Sequence, residues 1–320
     1  MIDALLLLFG LVLLLVAADL LVKGASSVAA RHSVSPLMIG LTVVSFGTSM
    51  PEMLVSFIAG MRGSADLAVA NVLGSNIFNV LVVLGVACLI NPLKVQTSTV
   101  VSEIPFSLSA AILLGFLANA ALFSTGPELS ISRLDGFILL GFFLLFMLYI
   151  FSISRAASED DSGSPPAGSY LGSIAFILIG VAGLFLGGKW AVDGAVALAG
   201  QWGVDDAMIG LTIVAVGTSL PELAASAMAA YRKETDIAVG NVVGSNIFNI
   251  LWILGVTASI RPLPFSAISN VDIVMVIVAT LLILLAIASN RAAGITRPWG
   301  AVFMAVFDPR QQAHPVIFTV

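Results

Sequence analysis

The chain has 320 residues, of which 59% are hydrophobic and only 10% charged, with a mean hydropathy of +1.10 and a formal net charge of -5. A soluble domain carries roughly a quarter charged residues, so this composition excludes a water-soluble globular protein. The acidic balance and the lack of a basic, aromatic-studded stripe exclude nucleic acid as a partner, and the single Cys88 excludes a disulfide framework or a thiolate metal centre.

Taken in chain order, hydropathy and helix breakers predict membrane spans over 2–22, 36–61, 67–90, 100–121, 134–153, 170–190, 206–231, 237–260, 270–289 and a weak last one from 299. Most match the ~20 apolar residues that cross ~30 Å of hydrocarbon, which predicts an all-α membrane protein of about ten transmembrane helices. The first run lacks a basic leading region and a small-residue cleavage site before Asp19 and Lys23, so it reads as a span and not as a secretory signal. Residues 154–169, with Glu159, Asp160, Asp161 and the Pro165-Pro166 pair, read as an exposed linker. Trp299 to Phe307 open the last span, but Asp308, Pro309, Arg310, Gln311, Gln312 and His314 interrupt it. It is therefore expected to be incomplete against the ~20 residues required.

The chain is internally duplicated. Met38 to Leu93 align with Met208 to Leu263 at a constant offset without a gap, and roughly 32 of about 56 positions are identical, far beyond shared hydrophobicity. The expected organisation is a first repeat over 1–153 with its motif in 39–80, the linker over 154–169, and a second repeat over 170–320 with its motif in 209–250. Five spans per repeat is an odd number, so the second copy must enter the membrane with the opposite orientation. Lys23, Arg31, Lys94, Arg155, Arg232, Lys233, Arg291 and Arg297 fall on the linker side, against Arg62, Arg133, Lys189, Arg261 and Arg310 on the other. This bias predicts a cytoplasmic linker and an N-terminus outside a cell membrane, the bacterial or archaeal inner membrane.

Two polar motifs recur inside matching apolar spans: Gly47-Thr48-Ser49-Met50-Pro51-Glu52 with Gly217-Thr218-Ser219-Leu220-Pro221-Glu222, and Asn71 to Asn79 with Asn241 to Asn249. Pro51 and Pro221 cannot donate a backbone hydrogen bond, so each breaks its helix and frees carbonyl oxygens near Gly47 and Gly217. Broken helices at membrane depth line a cavity or are buried in protein. One turn on stand Glu52 and Glu222, with the hydroxyls of Thr48, Ser49, Thr218 and Ser219, a set made only of oxygen donors. Ser75 and Asn79, four apart, share a helix face, as do Ser245 and Asn249, and can complete the shell. Such a set suits a hard cation such as Ca²⁺, which takes ~6 to 8 oxygen ligands, and not a soft metal. An ionised Glu at the bilayer centre costs ~2.5 kcal/mol or more, so Glu52 and Glu222 read as functional. For Asn71, Asn76, Asn241 and Asn246 the alternative of simple helix-packing glue carries equal weight.

The other charges read as structural. Asp19 with Lys23, and Lys189 with Asp193, are i,i+4 pairs whose signs are exchanged between the repeats. His32 and His314 fall in loops, and the small residues of Gly180 to Gly188 read as close helix packing. The spans hold no His-Glu-His zinc motif and no nucleophile–base pair, so the chain reads as a non-enzyme without a cofactor.

The two copies of GTSxPE followed by GSNIFN resemble the repeats of the cation/calcium exchanger superfamily, closest to the prokaryotic sodium/calcium antiporters, over nearly the whole chain. The resemblance implies a ten-helix bundle whose central site uses Thr48, Ser49, Glu52, Ser75 and Asn79 with Thr218, Ser219, Glu222, Ser245 and Asn249, and carbonyls near Ser45, Thr48, Ala215 and Thr218. It implies a secondary antiporter that carries Ca²⁺ and Na⁺, functional as a monomer in the lipid bilayer, with sliding of the first and sixth spans over the repeat core. Some members have Asp where this chain has Asn249, which leaves the stoichiometry and any coupling to H⁺ or K⁺ open. A proton-coupled Ca²⁺ exchanger on the same scaffold and a cation channel are the alternatives.

Overall fold

In the computed structural model the described residues are 2–32, 34–96, 99–123, 129–157, 169–202, 215–289 and 294–307. Apolar sequence folds here into helices because a chain in hydrocarbon must satisfy its backbone polar groups internally. The helices are α1 (Ile2–Arg31), α2 (Pro36–Thr48), α3 (Met50–Arg62), α4 (Ala65–Ile90), α5 (Thr99–Ala118), α6 (Arg133–Ala157), α7 (Tyr170–Gln201), α8 (Leu220–Tyr231), α9 (Thr235–Ile260), α10 (Ser269–Ser289) and α11 (Arg297–Val306). Among the described residues, seven helices are long and apolar enough to cross a membrane, or eight when α2 and α3 are taken as one broken span bent by 50°. The protein is an all-helical membrane protein. A two-stranded ribbon, β1 (Ser130–Ile131) with β2 (Leu263–Pro264), ties the entry of α6 to the exit of α9.

The span expected over 206–231 is seen from a short turn at Ala215–Gly217 into α8, and its first part lies outside the described residues. So do residues 158–168 of the linker expected over 154–169, whose first four residues continue α6 to Ala157, and so does everything beyond Phe307, including His314. The last helix, α11, has 10 residues, in keeping with the weak tenth span. Two helices run further than hydropathy indicated: α1 continues to Arg31 and α7 to Gln201. Lys23, Ser26 and Ser27 in the one and Asp193 in the other end the apolar run without ending the helix, because no proline or capping glycine stops it.

Burial sorts the helices. The most apolar window of α9 is 94% buried and that of α4 72%, against 33% for α1 and for α7. The two copies of the Asn-rich motif therefore form the centre. Leu5, Leu8, Val12 and Leu15 of α1, with Phe137, Leu144 and Phe151 of α6, face outward, as a lipid-facing surface requires.

The helices α1 and α7 pack antiparallel along nearly their full length. A Cβ on Gly10 would stand 2.4 Å from the Ala191 amide nitrogen, one on Gly180 2.8 Å from Leu21, and one on Gly194 2.5 Å from the Leu7 nitrogen. These glycines let the two backbones touch, the small-residue contact that the run Gly180 to Gly188 suggested. Ser27 and Ser173 hydroxyls meet at 2.7 Å, and Gln201 bonds Asp3 at 2.7 Å, so the pair is pinned at both ends. The expected i,i+4 pairs are both present: Lys23 to Asp19 and Lys189 to Asp193, each at 2.6 Å. Asp19 also accepts from Arg232, which leads from α8 to α9, with Nε at 2.6 Å.

Gly10→Ala should part α1 from α7 and lower stability by about 1 to 3 kcal/mol, as overpacking does. A thermal melt in detergent reads this as a lower midpoint, with Gly141→Ala, where a Cβ meets nothing within 4 Å, as the neutral control. Equal midpoints for both variants would show that the helices are not in backbone contact.

Candidate functional site

The broken span forms as the proline predicts. Pro51 has no N–H for the Gly47 carbonyl, and Ser49, at φ -82 and ψ 8, interrupts the helix between α2 and α3. The second motif repeats the geometry at Ser219, φ -90 and ψ 6, before Pro221. In both, the glutamate lies in the first turn of the new helix, α3 or α8, where unpaired N–H groups and the helix dipole favour an anion. The Ser45 carbonyl, one of the expected ligands, already accepts the Ser49 N–H at 3.0 Å and the Thr48 hydroxyl at 3.3 Å.

The two motifs meet, and their serines cross over. Ser49 of the first donates to Glu222 Oε1 at 2.9 Å, and Ser219 of the second donates to Glu52 Oε1 at 2.9 Å. Ser75 on α4 adds a 3.4 Å bond to the same Glu52 oxygen and lies 3.1 Å from Ser219, while Thr218 is half-buried beside Glu52. Thr48 and Ser245 stand at the matching places beside Glu222. Both glutamates are wholly buried. Their second oxygens, Glu52 Oε2 and Glu222 Oε2, have no hydrogen-bond partner, and neither have the buried Oδ1 atoms of Asn79 and Asn249. These four orphaned oxygens come in repeat-related pairs.

The elements that carry the asparagines are distorted in the same way. Helix α4 turns π-helical over Asn79–Val83 and α9 over Phe248–Leu254, the wider turn that is often found at functional sites. The first of these segments packs on α8, which bears Glu222, and the second on α3, which bears Glu52. All ten site residues expected from the sequence are thus brought to the junction of α2, α3, α4, α8 and α9.

Asn71 and Asn241 are the glue that one reading gave them. Each donates to the backbone carbonyl of its own repeat's glutamate, at 3.3 and 3.4 Å, and to Ser56 or Ser226 at 2.9 Å. Asn241 Oδ1 also accepts from Thr48 of the other repeat at 3.1 Å. The exchange of serines is invisible in the sequence, because partners 173 and 167 residues apart leave no local pattern. It also missed Glu103, a buried acid on α5 that accepts from Tyr149 at 2.7 Å.

The sequence matches the sodium/calcium exchanger protein family over residues 2–152 and 172–307. The chain belongs to the sodium/calcium exchanger family. The sodium/calcium exchanger MaX1 of Methanosarcina acetivorans is 33% identical over 321 residues, 90% of this chain and 92% of that one. The inner membrane protein YrbG of Escherichia coli is 39% identical over 272 residues, covering 80% and 79%. Among solved structures, the sodium-calcium exchanger NCX_Mj soaked with Na⁺ and Sr²⁺ superposes with a TM-score of 0.80 at 31% identity, over 95% of this chain and 96% of the other. As a member of this family the chain is a membrane antiporter for ion transport, a cation and Ca²⁺ exchanger in the superfamily that its motifs resemble.

Ser49→Ala removes a hydrogen bond to a buried carboxylate, worth about 1.5 to 3 kcal/mol, so Ca²⁺ binding should weaken about tenfold or more. A Ca²⁺ titration of the purified protein checks this, and a loss below about twofold would show that the crossed bond does not hold Glu222.

Proposed function

We propose that the chain exchanges Ca²⁺ for Na⁺ by alternating access at a site in the middle of the bilayer, as a monomer in the inner membrane with its N-terminus outside. Glu52 and Glu222 bind the cation, with Thr48, Ser49, Ser75, Asn79, Thr218, Ser219, Ser245 and Asn249 as the remaining shell. The fold is then ten spans in two inverted five-helix repeats, counting α2 with α3 as one broken span and Ala215–Gly217 with α8 as its mate. The observation that carries the reading is the pair of fully buried carboxylates with orphaned oxygens, with no Lys, Arg or His among the described buried residues. Two such charges need a cation to accompany them in a medium that cannot solvate them.

Charge arithmetic sets the coupling. The empty site carries about two negative charges, which one Ca²⁺ neutralises. Three Na⁺ would overshoot by one charge and make exchange electrogenic, at ~2.3 kcal/mol per 100 mV. The solved relative soaked with both Na⁺ and Sr²⁺, and in another case with Na⁺ and Ca²⁺, supports a site shared by monovalent and divalent ions.

Access follows from how α1 and α7 lie on the core. A crevice of about 250 Å³ between α7 and the two motif helices is lined by Pro51, Val55, Lys189, Asp193, Thr218 and Pro221. It approaches the site from the side where α7 ends. On the linker side α1 packs on α8, and Asp19 is held by Arg232. This arrangement supports a state closed toward the linker, which a sliding α1–α7 unit would convert to its opposite.

Vesicles loaded with Na⁺ should take up ⁴⁵Ca²⁺, and Glu52→Gln or Glu222→Gln should abolish it. Uptake driven by a proton gradient without Na⁺ would instead assign proton coupling, and flux without any counter-ion a channel. Arg232→Gln should retain exchange but shift the apparent Ca²⁺ affinity measured from the linker side by a few-fold, the scale of a partly exposed ion pair. The charge reversal of Asp19→Arg with Arg232→Asp should restore it, and an unchanged affinity in the single variant would remove the pair from the access step.

A further inference from the structure

Four asparagines on α4 and α9 form a ladder between the repeats. Asn76 Nδ2 donates to the Asn246 backbone carbonyl at 3.2 Å, and Asn246 Nδ2 returns a bond to the Asn76 carbonyl at 3.4 Å. The oxygens of the same two amides accept from the next pair: Asn249 Nδ2 donates to Asn76 Oδ1 at 2.9 Å, and Asn79 Nδ2 to Asn246 Oδ1 at 3.1 Å. All four residues are buried.

We infer that Asn76 and Asn246 are positioning residues that fix which end of the Asn249 and Asn79 amides faces the ion, so that a backbone carbonyl of one repeat, acting through an amide of the other, dictates an oxygen ligand on its own helix. The inference rests on the site proposed at Glu52 and Glu222. A backbone carbonyl can only accept, so the amino end of Asn76 must point to the Asn246 carbonyl. Its Oδ1 is then turned to Asn249, where a second oxygen cannot pair with it. Asn249 must present its own amino end and direct its Oδ1 the other way. The same chain of necessity runs from the Asn76 carbonyl through Asn246 to Asn79. Its outcome is on the structure: Asn79 Oδ1 and Asn249 Oδ1 are the buried oxygens left without partners. Reversing either amide would bring N–H donors to a cation and set oxygen against oxygen behind it. The ladder thus selects oxygen over nitrogen at two positions where the residue type alone allows both.

A double-mutant cycle on Ca²⁺ affinity tests this in the full chain, by ⁴⁵Ca²⁺ binding in detergent. Asn76→Ala should weaken Ca²⁺ about 10- to 100-fold, the usual effect of losing an outer-shell partner. In an Asn249→Ala background the same change should cost little more, because the amide it orients is gone; in an Asn79→Ala background it should cost its full amount. Asn246→Ala should give the crossed pattern, coupled to Asn79→Ala and additive with Asn249→Ala. Equal losses in both backgrounds would mean that Asn76 only packs helices, and would overturn the assignment. A melt without Ca²⁺ separates folding from binding; where an alanine variant does not fold, Asn76→Ser and the mirror cycle at Asn246 carry the test. If Glu52→Gln and Glu222→Gln leave Ca²⁺ binding intact, it is the site that fails, and the ladder with it as a ligand device.

Discussion

The fold is organised around two buried carboxylates that no buried basic residue accompanies among the described residues. Glu52 and Glu222 are wholly buried at the junction of two broken helices, where an uncompensated charge is costly. The protein offsets part of that cost with fixed dipoles, since each glutamate starts a helix and each accepts a serine hydroxyl. In the proposed exchange the rest falls to the transported cation. Because the serine comes from the other repeat, neither copy can build a complete glutamate environment alone. The duplication is thus a requirement of the site.

Two kinds of packing separate the central helices from the α1–α7 pair. The centre, α4 and α9 with the motif helices, is laced by side-chain hydrogen bonds that run between repeats at Asn76, Asn79, Asn246 and Asn249. Buried polar networks that are satisfied hold one geometry, since any shift leaves groups unpaired. The α1–α7 pair is bound to itself by glycine contacts and by polar pins at its ends, and much of its outer face is apolar. Apolar surface in lipid gains little from one position over another. A pair bound this closely to itself can shift as one unit, as the proposed alternating access requires.

The helical membrane architecture, the duplication and the polar motifs whose residues the structure brings together were legible in the sequence, because hydropathy, internal identity and polar residues inside apolar runs are local signals. Helix length was less so: α1 and α7 pass through Lys23 and Asp193 without a break, since a helix longer than the hydrocarbon emerges from it still helical. The pairing of Ser49 with Glu222 was not legible, because the partners stand 173 residues apart and only the packed fold brings them together. The roles of the asparagines were only half legible. Spacing placed Asn79 and Asn249 beside the serines, but whether Asn76 and Asn246 were packing or positioning residues depends on which backbone carbonyl each amide meets.

In the proposed inverted-repeat exchanger the two access states would be near mirror images, so their energy difference would come from positions where the copies differ. The charged ones at the α1–α7 edge are such positions. Asp19 and Lys23 of α1 correspond to Lys189 and Asp193 of α7, whereas Arg232 corresponds to Arg62. In the structure Asp19 reaches both Lys23 and Arg232. In a mirrored state the residue brought toward Arg62 at the equivalent place would be Lys189, a cation toward a cation, with Asp193 one turn further along. The attractive contact would then exist on one side only. Its worth is limited by exposure, since Asp19 and Arg232 side chains are 27% and 33% exposed. Yet a two-state equilibrium between near-equal structures responds to small terms, and a factor of a few is enough to set the resting side. In the proposed exchanger, the exchange of signs between repeats, which a purely structural reading would treat as neutral, would bias the equilibrium toward one face.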